Sequence, residues 1–350
     1  AALLVTAGMS QIALAGDSVY VNTSSLRYRT SAQIKDNNIA GNLSYGQKLE
    51  RVGTSGQWTM ILLNGKKYYV SSAYVTSKKP ASAGAVQTTS QTAAGAQTSG
   101  GTAIALSSNY KYANYSKINS GTATLYRSTA SNKKNKVVCV NAGHGTNGGG
   151  SVKTQCHPDG TAKVTGGTTG AGATSAVAVS TGMTFSDGTA ESKVTLAMAK
   201  VLKTKLLNAG YDVLMIRDGE DVQLDNIARS VIANNAADCH IALHWDSTTS
   251  NKGAFYMSVP DVASYKNMEP VKSHWQQHNA LGASLVEGLK SAGVKIFSGG
   301  SMNIDLTQTS YSTVPSVDIE LGDKASDHSQ STLNQLGDGL VAGVKAYFGQ

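Results

Sequence analysis

Three cysteines in 350 residues, Cys139, Cys156 and Cys239, are too few and too odd in number for a disulfide framework. Cys139 and Cys239 each lie five residues before a histidine, within apolar runs, and read as small buried hydrophobes. A bridge between them would need neighbouring strands, which the sequence leaves open. Aromatic residues are scarce outside 15 tyrosines, and 37 glycines point to much turn and loop. No stretch is long and apolar enough to span a bilayer. Nucleic-acid recognition motifs are absent as well. What remains, 40% hydrophobic residues over 350 positions, supports a core and predicts two domains with connecting material.

Charge divides the chain. Residues 1–136 carry 15 Lys and Arg against 3 Asp and Glu, whereas residues 137–350 carry 15 against 19. A basic front half suggests an anionic partner, either nucleic acid or an anionic polymer of a cell surface, or simply a solvated basic surface. Residues 1–16 are apolar and uncharged, and Ala13-Leu14-Ala15 has the small-x-small pattern of a signal-peptidase site. They read as the remnant of a secretion signal and imply an exported protein.

Residues 17–76 alternate short strands with turn residues, including an Asn64-Gly65 hairpin signal before Lys67-Tyr68-Tyr69-Val70. Such spacing predicts a small all-β barrel. Leu26-Arg27-Tyr28-Arg29, Gly46, Trp58 and the closing run Gly65 to Val75 resemble a bacterial SH3 domain, with Arg27-Tyr28-Arg29 where Asn-Val-Arg is usual. The resemblance implies attachment to a cell wall or a plain spacer. Residues 77–106, rich in Ala, Ser, Thr, Gly and Gln, read as a flexible linker. Residues 107–136 form a lead-in whose Tyr110, Tyr112, Tyr115 and Tyr126 suit either ligand stacking or packing on the next domain.

From Val137 to residue 350 apolar strands alternate with helices. Strands are expected at 137–141, 211–216, 240–244, 254–259 and 316–321, and helices at 191–208, 223–235, 278–292 and 332–348. That alternation predicts an α/β domain: a mostly parallel, twisted sheet with helices on both faces, whose site gathers at the carboxyl ends of the strands. His144, His244 and Glu320 all sit at or just beyond such ends, and Glu191 opens a helix. Two imidazoles and a carboxylate can hold zinc with one position left for water, and a second carboxylate can take that water's proton. His240 shares a strand face with His244, but four strand residues separate them by roughly 13 Å. One ion cannot take both, and His244 is nearer the strand end. Cys156-His157 is a conceivable ligand pair that reads more simply as surface. Glu191 alone could merely complement a helix dipole. Glu320, in an apolar strand, requires a partner, and Asp318 lies two residues earlier on the same face.

Taken together, Ala142-Gly143-His144-Gly145, Glu191 with Leu196-Ala197, Gly210-Tyr211-Asp212-Val213, Ile216-Arg217-Asp218, Arg229, Ile241-Ala242-Leu243-His244, Gly253-Ala254-Phe255-Tyr256 and Pro315 to Gly322 resemble the zinc-dependent N-acetylmuramoyl-L-alanine amidases of the third amidase type. The likeness covers almost all of residues 137–350. It implies that His144, Glu191 and His244 are Zn2+ ligands and that Glu320 is the catalytic acid/base. The substrate implied is peptidoglycan, cut between N-acetylmuramic acid and L-alanine of the stem peptide by a secreted, wall-associated enzyme. Anionic wall polymers are candidate partners for the basic front half; no nucleic-acid partner and no membrane span are expected. A zinc endopeptidase of cross-links and a non-catalytic wall-binding or adhesion protein are the alternatives. Departures from the family pattern are the long 146–190 segment, Gly322-Asp323-Lys324-Ala325 after the glutamate, and Asp246 where Asn is common. The 146–190 segment is expected to fold over or beside the cleft.

Overall fold

A computed structural model describes residues 17–21, 25–33, 35–44, 46–78 and 100–350. The expected signal remnant (residues 1–16) and residues 79–99 of the expected linker lie outside the described residues. The chain divides into two compact units, each considered by itself.

Among the described residues the first unit contains seven strands: β1 (Asp17–Val21), β2 (Ser25–Arg29), β3 (Ile39–Ser44), β4 (Lys48–Ser55), β5 (Trp58–Leu63), β6 (Lys66–Ser71) and β7 (Val75–Thr76). They form one antiparallel sheet in the order β3-β2-β6-β5-β4-β1-β7. Val19, Val21, Leu26, Leu43, Leu49, Ile61 and Val70 bury together, following the two-residue alternation of their strands. At the β5–β6 turn both Asn64 (φ 51°) and Gly65 (φ 73°) are left-handed, as a tight two-residue hairpin demands. Arg29 is buried and donates to Asn38 Oδ1 at 2.8 Å.

The second unit begins earlier than residue 137. Strands β8 (Thr102–Ala105) and β9 (Thr122–Tyr126) precede β10 (Val137–Ala142), so the end of the expected linker and part of the lead-in belong to the sheet. Pairing of Thr102 with Leu125 and Ile104 with Ala123 satisfies this polar segment, whose one large apolar side chain packs on the core. The tyrosines of the lead-in also pack: Tyr110, Tyr112 and Tyr115 lie against Tyr311, Ile227 and Val231.

There follow the hairpin β11 (Lys153–Gln155) and β12 (Ser175–Val177), α1 (Glu191–Asn208), β13 (Asp212–Met215), α2 (Asn226–Ala236), β14 (Cys239–Asp246), β15 (Ala254–Ser258), α3 (Ala263–Lys266), α4 (Val271–Ser291), β16 (Ile296–Asn303), α5 (Thr307–Tyr311), β17 (Ser316–Asp323) and α6 (Gln330–Phe348). The main sheet has the order β16-β15-β17-β14-β10-β13-β9-β8. It is mixed: β13, β10, β14 and β17 run parallel, β9 and β8 add antiparallel on one side, and β15 pairs antiparallel with β17 while parallel to β16. Val138, Val140 and Ala142 face a core shared with α1, α4 and α6, while Cys139 faces the other, with α2. Cys139 and Cys239 occupy adjacent strands but opposite cores, so both thiols stay free.

Several elements differ from expectation. The helix expected from Gln223 starts at Asn226, because the Asp225 side chain accepts from Ala228 N as its N-cap. Helix α4 starts at Val271, seven residues before expectation, in a polar stretch with no apolar period. Edge strand β16, Ile-Phe-Ser-Gly-Gly-Ser-Met-Asn, is largely exposed and carries no alternation to read.

Helices α4 and α6 touch backbone to backbone. A Cβ on Gly288 would lie 2.3 Å from Gly339 O and 2.4 Å from Gly343 N. Gly288→Ala is therefore expected to destabilise the unit by about 1–3 kcal/mol, overpacking outweighing alanine's helix propensity. A thermal midpoint equal to wild type would show that the helices can part without cost.

Candidate active site

The register of the central strands builds the site. His244 on β14 stands beside Glu320 on β17, and Phe255 on β15 flanks Glu320 on its other side. Both strands run past these residues, to Asp246 and Asp323, with a bulge between His244 and Asp246. On the other side of β14, β10 ends at Ala142, and two residues later the chain turns with His144 left-handed (φ 63°) and Gly145 likewise (φ 70°). Gly143 lies so close to β14 that a Cβ there would be 2.2 Å from the His244 ring. Only glycine permits that approach.

His144, Glu191 and His244 come together. His144 Nε2 is 2.9 Å from Glu191 Oε2 and 3.0 Å from His244 Nδ1, which is 3.1 Å from Glu191 Oε1. The outer face of each ligand is also occupied. His144 Nδ1 donates to Ser180 O at 2.8 Å, so its Nε2 carries a lone pair. Met183 N and Trp245 N donate to the two oxygens of Glu191 at 2.9 and 3.0 Å. Asp318 Oδ2 faces His244 Nε2 at 3.7 Å and favours a proton on that nitrogen, so that Nδ1 is the one turned to the cluster.

Two imidazole nitrogens and the Glu191 carboxylate thus converge, with contacts of 2.9 to 3.1 Å. Tetrahedral zinc, with bonds of about 2.0–2.1 Å, separates its ligand atoms by roughly 3.3 Å, close to the spacing seen. Nitrogen, nitrogen and carboxylate oxygen also suit that ion chemically. The residues fit a metal of this kind.

Electrostatics point the same way. Burial would raise the Glu191 carboxyl, but hydrogen bonds with His144 and His244 hold it far below the usual range. Burial disfavours a charged His244, yet Asp318, Glu191 and Glu320 together raise it to about 10. Burial pushes Asp318 up, and Glu320 well above an ordinary glutamate. Asp318 Oδ1 and Glu320 Oε2 are buried with no hydrogen-bond partner among the described residues. Burial thus favours a proton on Glu320, as suits a carboxyl that accepts and returns protons.

The four residues sit in a cavity of about 520 Å3. One wall comes from residues 163–183, including Lys163, Thr168 and Thr169, and another from Ile304 to Gln308. The 146–190 segment thus lies beside the cleft and is pinned there. Buried Asp305 meets His157 Nε2 at 2.9 Å, accepts from Val164 N at 2.8 Å, and receives Lys163 Nζ on its carbonyl. His157 is therefore buried rather than at the surface, and Cys156 takes no part in the metal cluster. His240 lies off the cluster, hydrogen-bonded to Asn141 at 3.2 Å, as its position deeper in the strand predicts. The carbonyl of Ser180 was invisible to motif reading, because a main-chain acceptor leaves no side-chain signature.

A mixed α/β fold here carries a histidine–glutamate–histidine cluster of the kind that can hold a metal ion. Residues 138–338 match the family model described as N-acetylmuramoyl-L-alanine amidase, and the chain belongs to that family. Among solved structures, the N-acetylmuramyl-L-alanine amidase Ami1 from Mycobacterium smegmatis is 16% identical, with 63% of this chain and 99% of that chain covered and a TM-score of 0.50. Ami1 from Mycobacterium abscessus, in its apo form, is 19% identical over 61% and 98% of the two chains, with a TM-score of 0.49. The likeness to the first is one of fold. No curated protein sequence matches the chain.

A metal ion bound by His244 would have to displace the proton that the ring holds below about pH 10. Zinc affinity is expected to strengthen about tenfold per pH unit between roughly pH 7 and 9, where one proton is released per ion. Chelator-competition titrations across that range check it; a flat profile would mean that His244 is not a ligand.

Proposed function

We propose that the protein is a zinc-dependent peptidoglycan amidase in which His144, Glu191 and His244 hold the ion and Glu320 is the general base and acid. The observation that carries this reading is the meeting of two imidazole nitrogens with a charged carboxylate, beside a buried Glu320 whose Oε2 has no hydrogen-bond partner among the described residues, in an open cavity. Bound zinc supplies Lewis acidity toward water and toward the amide carbonyl.

The chain's own groups do the rest. Met183 N and Trp245 N fix Glu191, Ser180 O fixes the His144 ring, and Asp318 orients His244. Glu320 Oε2 takes a proton from the attacking water as oxygen bonds to the lactyl carbonyl carbon. It then returns that proton to the L-alanine nitrogen as the carbon–nitrogen bond breaks. The products are a free carboxyl on the muramic acid and a stem peptide with a free amino terminus. The first unit, SH3-like in sequence and antiparallel in structure, is proposed to bind the wall, with anionic polymers as its partners. A wall substrate makes this a secreted, wall-associated enzyme.

Glu320→Gln, nearly isosteric, is expected to keep wild-type zinc content and lose about 10²–10⁴-fold in turnover. Metal analysis with a turnover assay on purified peptidoglycan checks both halves; wild-type turnover would remove Glu320 from the mechanism. Mass spectrometry of the soluble products should show stem peptides beginning at L-alanine, lost with chelator and restored by zinc. Intact muramyl–alanine bonds with newly cut cross-links would instead indicate an endopeptidase, and no product at all a binding module.

A further inference from the structure

Two arginines lie beneath the metal site, each about 1% exposed, and none of their hydrogen bonds ends on a carboxylate. Arg217 donates from Nε to Ala142 O (3.3 Å), from Nη1 to Gly219 O (3.0 Å), and from Nη2 to Gly143 O (3.0 Å), Ser192 O (2.8 Å) and Thr195 Oγ1 (3.0 Å). Arg229 donates from Nε to Leu224 O (2.9 Å), from Nη1 to Asn141 Oδ1 (3.0 Å) and Ala142 O (3.2 Å), and from Nη2 to His144 O (2.8 Å) and Thr146 Oγ1 (2.8 Å).

A buried guanidinium is costly to desolvate, and one usually meets a carboxylate. Here the acceptors include three successive carbonyls, Ala142, Gly143 and His144, those of the turn that delivers a metal ligand. Thr195 Oγ1 donates to Gly143 O as well, at 2.9 Å. That turn needs holding. His144 has a β-carbon yet adopts a left-handed backbone, at a cost of about 1–2 kcal/mol. Free of restraint, it would relax and swing Nε2 away from Glu191 and His244. The two guanidiniums stay charged at neutral pH, although burial pulls Arg217 down to about 10 and Arg229 to about 9.

We infer that Arg217 and Arg229 are positioning residues for the metal centre, a two-sided clamp on the Ala142–His144 carbonyls that keeps His144 Nε2 aimed at the ion. The inference rests on the zinc reading above. Charge alone does not satisfy it, because two forks in fixed planes are needed to reach carbonyls pointing in different directions.

The test is zinc affinity of the full chain, stripped of metal and titrated with zinc against a chromogenic chelator, beside the thermal midpoint of the metal-free protein. Arg217→Lys and Arg229→Lys keep the charge and remove the fork. Each is expected to weaken zinc about 10–100-fold, the usual effect of removing a group that orients a ligand. Thr195→Val, close in shape, removes a donor to Gly143 O and is expected to weaken zinc about threefold or more. Gly288→Ala serves as the control, with a lowered midpoint and wild-type affinity, so that instability alone is not mistaken for the clamp. Folded lysine variants with wild-type zinc affinity would overturn the inference while leaving the zinc reading intact. Should they not fold, wild-type affinity in Thr195→Val overturns it instead. A wild-type chain that takes no zinc removes both the metal reading and the clamp.

Discussion

Two imidazole nitrogens 3.0 Å apart, with a carboxylate oxygen within 3.1 Å of each, are held together only by a shared proton or by a cation. Most of the catalytic unit is arranged around that requirement. Glu191 is kept charged although buried, by both rings and by two main-chain amides. His144 is held in a backbone conformation it would not choose. Gly143 gives up its side chain so that β10 and the His244 ring can approach. Each of these costs stability in isolation and makes sense only together.

Charge balance extends the same idea outward. Glu191 and Glu320 are buried acidic groups at the site, and Arg217 and Arg229 are buried cations beneath it. The arginines meet main-chain and neutral side-chain oxygens rather than acids. Segment 146–190 works the other way on the cleft wall, where Asp305 is wholly buried, paired with Lys163 and His157 and bonded by Val164 N, and ties two distant stretches of chain together.

Legibility followed periodicity. Strands β10, β13, β14 and β17 and helix α1 carry apolar patterns long enough to read, and the four site residues follow from their places on those elements. Elements without such a pattern were missed or misplaced. β8 lies in a stretch with a linker's composition, β16 is a glycine-rich exposed edge, and the first turns of α4 are polar. His157 read as surface because adjacent polar residues in a polar segment give no sign of a buried acid 148 residues away.

The sequence by itself determined the α/β alternation, the residue types of the metal cluster and their approximate positions at element ends, because these depend on local period and on which side chains can hold a cation. Tertiary structure alone decided which nitrogen of each histidine faces the cluster, since Ser180 O and Asp318 from other segments stand against the other. It also decided that the sheet is mixed, and that the 146–190 segment walls the cleft through Asp305. The use of Arg217 and Arg229 on carbonyls rather than on acids belongs here too. In each case the deciding contact joins segments far apart in the chain, and main-chain oxygens, which do much of the joining, are the same in every residue.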